Sequence, residues 1–212
     1  GPQLWAQWIL KRHSRERPDY PGSGGEFARH LLNKAGLSEV KIEETQQGDH
    51  YDPSTRTVRL SVDKLQGKSL TAITVAAHEV GHAIQHQQGY APLAWRSRLV
   101  SIAQRAEKTG SGVMFVLPFV AAITRSPTAG IAMFVVGLAS MAVSTIVHLV
   151  TLPVEWDASF GRAMPLLKAG HFVEGRDERA AKRILQACAL TYFAASLASL
   201  LNVWRWLKMW RR

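Results

Sequence analysis

The chain has 212 residues, room for one catalytic domain with attachments. Its formal net charge of +10 fits an anionic membrane surface or a nucleic acid, but no P-loop, RNA-binding aromatic motif or zinc-finger spacing is present, so no nucleic-acid partner is expected. The single cysteine, Cys188, rules out an internal disulfide and a cysteine-based metal site, and does not fix the compartment.

Gly1-Pro2 reads as a cleavage scar and carries no fold information. Residues 4–10, apolar and rich in tryptophan, run into Lys11-Arg12. Residues 1–18 are expected to be the remnant of a membrane helix meeting its interface, or an amphipathic interfacial segment. Residues 13–22 are polar, with Pro18 and Pro21, and read as a linker. Ser23 with Glu26 forms a capping box that opens a helix through Phe27, Ala28, Leu31 and Leu32, closed by Gly36. Val40 and Ile42 alternate with polar residues as a short strand, and His50-Tyr51 suggests a second. Residues 55–61 alternate cleanly and make the clearest strand. If that third strand is a sheet edge, its backbone can hold an extended peptide; Arg56 and Arg59 are read as solvated.

The next segment is Ala77-His78-Glu79-Val80-Gly81-His82-Ala83. Ser69 is a suitable N-cap, the apolar residues from Leu70 to Ile84 recur at helical spacing, and Gly89 with Pro92 ends the helix. Histidines four apart are offset by only about 40° around a helix, so both imidazoles leave one face, as a tetrahedral zinc requires. Glu79 then stands beside the metal, where a carboxylate takes a proton from an activated water. Gly81 weakens the helix by about 1 kcal/mol relative to Ala, which suggests close approach by another backbone or side chain.

Residues 93–108 are amphipathic and basic. Residues 111–124, 129–150 and 184–204 are apolar, and the last two are long enough to span a bilayer. The chain ends in a tryptophan- and arginine-rich tail. If the three stretches cross a membrane, ten lysines and arginines flank the metal-helix side against five opposite, which favours a cytoplasmic active site.

Two histidines leave a catalytic zinc one protein ligand short. His86 extends the spacing but lies about 12 Å along the axis from His78, too far for one ion. Glu155 is the better candidate: Pro153 fits a helix start, and a carboxylate in a first turn is favoured by the helix dipole. Asp157 and Ser159 lie near enough to orient a ligating histidine, though Asp157 reads equally as a helix N-terminal acid. His148 is either an intramembrane functional group or a neutral histidine bonded within a bundle. His13, His30, His50 and His171 read as surface or loop residues. Arg162, Tyr51 and His50 are candidates for stabilising an oxyanion.

His78 through His86, taken with Leu152-Pro153-Val154-Glu155-Trp156-Asp157-Ala158-Ser159, resembles the YugP-type neutral zinc metallopeptidases, small integral membrane proteins of bacteria. Tyr51-Asp52-Pro53, residues 55–61 and Gln88-Gly89-Tyr90-Ala91-Pro92 extend the likeness over nearly the whole chain from about residue 11. Trp156 stands where that family usually has Phe. The resemblance implies a gluzincin-like site: one zinc ion on His78, His82 and Glu155, with Glu79 as catalytic base. It implies peptide-bond hydrolysis by a zinc-activated water, a protein or peptide substrate, and association with the lipid bilayer of the bacterial inner membrane. The expected fold is mainly α with a small β-sheet, a minimal zincin-like domain fused to a transmembrane helical bundle. Residues 19–110 would carry the sheet and metal helix, 111–152 a transmembrane hairpin, 153–183 the third ligand, and 184–212 a last span with its basic tail. Two other readings are a non-catalytic membrane scaffold stabilised by zinc, and a basic protein for binding membrane surfaces or nucleic acid. The intact Glu79 argues against the scaffold.

Overall fold

The computed structural model describes residues 1–103, 105 and 127–190. Along the chain these form α1 (Pro2–Arg12), α2 (Gly24–Lys34), β1 (Lys41–Glu44), β2 (His50–Asp52), β3 (Thr57–Leu60), the single turn α3 (Val62–Leu65) and α4 (Leu70–Gln87). Then come α5 (residues 91–103), α6 (Pro127–Trp156), a π-helical segment (Asp157–Ala163), α7 (Met164–Ala169) and α8 (residues 176–190).

Local signals account for most of the boundaries. The Ser23 side chain accepts from the Glu26 backbone N–H while the Glu26 carboxylate accepts from the Ser23 N–H, so the capping box of α2 is complete. The Ser69 side chain caps α4 through the Ala72 N–H. Gly89, at φ 64°, takes the left-handed conformation that turns the chain out of α4. Residues 13–22 are not a loose linker. Arg17 pairs with Asp19 and, at 2.6 Å, with Asp177, its N–H donates to the Lys68 carbonyl, and Tyr20 is buried.

The sheet order is β1-β3-β2, with β1 parallel and β2 antiparallel to β3. The cleanest strand of the sequence is therefore the central one. Its backbone is paired on both sides and cannot hold a peptide; the edges of the sheet are β1 and β2. Alternation over residues 55–61 reports which side chains of β3 face the core, and carries no information about which neighbours pair with it. Arg59 is not simply solvated either: it pairs with Asp52 of β2 at 2.7 Å and Glu43 of β1 at 3.3 Å, across both ladders.

α4 lies at the centre. It packs against α2, the sheet, the π segment and α7, and from Leu70 to Ala83 every residue is buried. Val58 and Leu60 of β3, Leu31 and Leu32 of α2, and Ile184 and Leu185 of α8 complete the core. Each large apolar side chain so buried contributes about 1.5–3 kcal/mol.

The expected transmembrane bundle is a correction. Among the described residues no helix is long and apolar enough to cross a membrane. Residues 184–190 begin the third apolar stretch, and there Ile184, Leu185, Ala187 and Ala189 are core residues rather than the start of a separate span. Residues 129–150 belong to α6, which runs unbroken through Pro153 to bury Thr151, Val154 and Glu155 in the protein. Apolar length alone does not distinguish a span from a helix that ends in a core. Residues 111–124 and 191–212, with the tail, lie outside the described residues, as does the side chain of His148.

Candidate metal centre

The middle of α4 and the end of α6 meet at one buried point. His78, Glu79, His82 and Glu155 are 3%, 5%, 5% and 1% exposed. The two imidazoles stand edge to face with centroids 4.8 Å apart, as a spacing of four on a regular helix dictates. Glu155 Oε2 lies 3.1 Å from His78 Nε2 and 3.3 Å from His82 Nε2. One ligand atom from each of the three residues falls within 4.8 Å of the others. Tetrahedral zinc with bonds of about 2.0–2.1 Å holds its ligand atoms roughly 3.3 Å apart, so both contacts match the edges of such a site. Glu79 is not part of the set and stands beside it.

The hydrogen bonds behind the histidines make each Nδ1 a donor. Ser159 Oγ donates to the Leu185 carbonyl at 3.3 Å and so accepts from His78 Nδ1–H at 3.1 Å. Gln85 Nε2 donates to the Val154 carbonyl and to Asp157 Oδ2, each at 2.8 Å. Its Oε1 is therefore the atom facing His82 Nδ1 at 2.9 Å, and it accepts. With both Nδ1 atoms donating, it is the Nε2 of each histidine that is turned to Glu155 Oε2. Two Nε2 atoms and a carboxylate oxygen converging in a buried place make a donor set for a cation. Two imidazoles and a carboxylate suit zinc.

The electrostatics divide the two carboxylates. Burial pushes the Glu79 carboxyl up to about 7, with His78 pulling it back and Glu155 pushing it further. Glu155 is buried at least as deeply, which works to raise it. Its contacts with His82 and His78 outweigh that and hold it well below the usual carboxylate range.

The segment carrying Glu155 differs from the expectation. Pro153 lies inside α6, and Glu155 is the second-last residue of that helix, so it gains nothing from a helix N-terminus. Its charge is balanced by the imidazoles and by Arg96, whose Nη1 is 3.3 Å from Oε1. Directly after Trp156 the helix widens to π pitch, with the Met164 N–H reaching back to the Ser159 carbonyl. Here Ala158 meets α4: a β-carbon on Gly81 would lie 2.7 Å from the Ala158 carbonyl oxygen. The glycine inside α4 therefore marks a seam between two backbones, the close approach its position suggested.

Asp157 and Ser159 both stand behind the histidines, Ser159 directly on His78 and Asp157 through Gln85 on His82. Of the oxyanion candidates, Arg162 is committed to Asp157 at 2.8 Å and Gln88 at 2.6 Å. His50 Nδ1 turns to the Gly48 carbonyl. Tyr51, its hydroxyl 2.8 Å from His86 Nδ1, lines a cleft of about 360 Å³ with Asp52, His82, Arg96 and Ser97. That contact accounts for His86, which is not among the clustered groups. Sequence reasoning missed Gln85 and Arg96. Gln85 had a readable signal, a polar residue one turn after His82 on the same face. Arg96 had none, being one of several cations on a basic helix.

A family model described as "Putative neutral zinc metallopeptidase" matches residues 1–211. The chain is also 35% identical to a Bacillus subtilis protein named "Putative membrane protease YugP", over 97% of this chain and 90% of that protein. No solved structure matches. The chain belongs to this neutral zinc metallopeptidase family.

Proposed function

We propose that this family member is an endopeptidase that hydrolyses peptide bonds with one zinc ion held by His78, His82 and Glu155 and with Glu79 as general base. The observation that carries it is the convergence of two Nε2 atoms and one carboxylate oxygen at 3.1 and 3.3 Å in a buried place. Bound there, zinc would lower the pKa of water toward about 7 and polarise a carbonyl. Glu79 takes the proton from the attacking water and delivers it to the leaving amine. Its position in sequence, one residue from His78, keeps it beside the ligands, and its burial raises its proton affinity, which favours the first of those steps. Ser159 and Gln85 hold the imidazoles against rotation, so the ligand face is set before substrate arrives.

The substrate is a protein or peptide lying extended in the cleft, along the edge of β2. Tyr51, on that edge and beside His82, is the residue best placed to donate to the developing oxyanion. The Bacillus relative is named a membrane protease, and a net charge of +10 fits work at an anionic bilayer surface.

The test is Glu79→Gln against wild type on a mixture of unstructured peptides, with cleavage read by mass spectrometry and zinc counted in both proteins. Equal zinc with cleavage reduced by about 100-fold or more is expected. Zinc in both and cleavage in neither would favour the scaffold reading; equal cleavage would remove Glu79 from the chemistry.

A further inference from the structure

We propose that Arg96 is a positioning residue for Glu155: it pairs with Oε1 and so leaves Oε2 as the one oxygen turned to the two histidines. The inference rests on the reading that zinc sits between His78, His82 and Glu155. A carboxylate can meet a metal through one oxygen or two, and which it does depends on what holds the second. Here Oε2 faces both Nε2 atoms, while Oε1 is buried and no hydrogen bond reaches it from the described residues. Its charge is met by the Arg96 guanidinium at 3.3 Å, an ionic contact without hydrogen-bond geometry.

Three features make this contact more than a surface ion pair. Glu155 is 1% exposed and the Arg96 side chain 24%, so water screens the pair weakly and the unpaired carboxylate oxygen would be costly. Arg96 comes from α5, an element that supplies none of the clustered groups, so the pair fastens a third helix to a site otherwise made by α4 and α6. The same side chain lines the cleft beside His82, where the peptide is proposed to lie. Arginine suits the role because its charge is permanent and spread over a plane; a lysine ammonium at the same place is a point charge on a flexible stem.

The experiment uses the full chain as wild type, Arg96→Met and Arg96→Lys. Zinc dissociation constants are measured by competition with a chromogenic chelator, and the visible spectrum of the cobalt(II)-substituted protein reports the ligand field. Arg96→Met is expected to weaken zinc binding by about 10–100-fold and to alter the cobalt spectrum, with Arg96→Lys recovering part of both. Zinc affinity within twofold of wild type in Arg96→Met, with an unchanged cobalt spectrum, overturns the proposal. If Arg96→Met does not fold, Arg96→Lys decides: a shifted spectrum with affinity lowered several-fold supports the role, and identity with wild type overturns it. Wild type that binds neither zinc nor cobalt would instead sink the peptidase reading itself, a failure distinct from that of Arg96.

Discussion

α4 and the stretch from the end of α6 through the π segment meet face to face, and they supply the site in opposite ways. α4 is a regular helix whose own periodicity puts His78 and His82 on one face and Glu79 beside them. The second stretch runs through Pro153 to deliver Glu155 and then changes pitch after Trp156, where Ser159 stands behind His78. One is self-sufficient in geometry; the other depends on what it packs against. A donor set can thus be half encoded in a local repeat and half in a tertiary contact, and the two halves should respond differently to substitution.

The largest test asks whether the regular half suffices. Glu155→Ala should lower zinc affinity by roughly 1000-fold, about as much as His82→Ala, because each removes one of three protein ligands. Equilibrium dialysis decides it, and zinc retained in Glu155→Ala would mean α4 holds the ion without its partner.

Next comes what the second half does to Glu79. Its carboxyl is raised to about 7, first by burial, against an ordinary value of 4.5. Between those values the folded state keeps a proton that the unfolded chain has released. This carboxyl's contribution therefore makes the metal-free protein less stable as pH rises through that window, and flat above it. The loss is of order 3 kcal/mol at about 1.4 kcal/mol per unit. Denaturant titrations of chelated protein at pH 5 and 7.5 should show this slope in wild type and not in Glu79→Gln; equal slopes would place Glu79 in a wetter site.

The seam itself is tested by Gly81→Ala. The added methyl meets the Ala158 carbonyl, part of a backbone that cannot rotate away, so a loss of about 1–3 kcal/mol is expected despite alanine's better helix propensity. A rise in thermal midpoint would show that the two stretches are looser than a 2.7 Å approach implies. The smallest effect belongs to Ser159→Ala. His78 keeps its place on α4 but loses the acceptor on Nδ1, so stability should fall by about 1 kcal/mol and zinc affinity by about tenfold. Calorimetry of the metal-free protein and a chelator competition separate the two.

Periodicity and end signals made α2 and α4 legible, because a capping box, a serine cap and a left-handed glycine act within a few residues of themselves. The three strands were legible for the same reason. Their order was not: alternation is identical in a central and an edge strand, so the pattern of residues 55–61 carries no sign that both sides of β3 are paired. The apolar stretches that fall on described residues failed similarly, since a run of uncharged residues has the same composition whether it crosses a membrane or ends in a core. Arg96 left no trace, because its role comes from a contact 59 positions along the chain.

What the amino-acid order determined alone is therefore the α4 half of the centre: two imidazoles on one face, a carboxylate next to the first, and a small residue where something must come close. Only the tertiary structure decided what comes close, which nitrogen of each histidine is left bare, and how a glutamate inside a long apolar helix is kept charged. The physical reason is range. Backbone hydrogen bonds set helical geometry over four residues, whereas the burial and the opposing charges that govern Glu155 come from helices that have no sequence proximity to it.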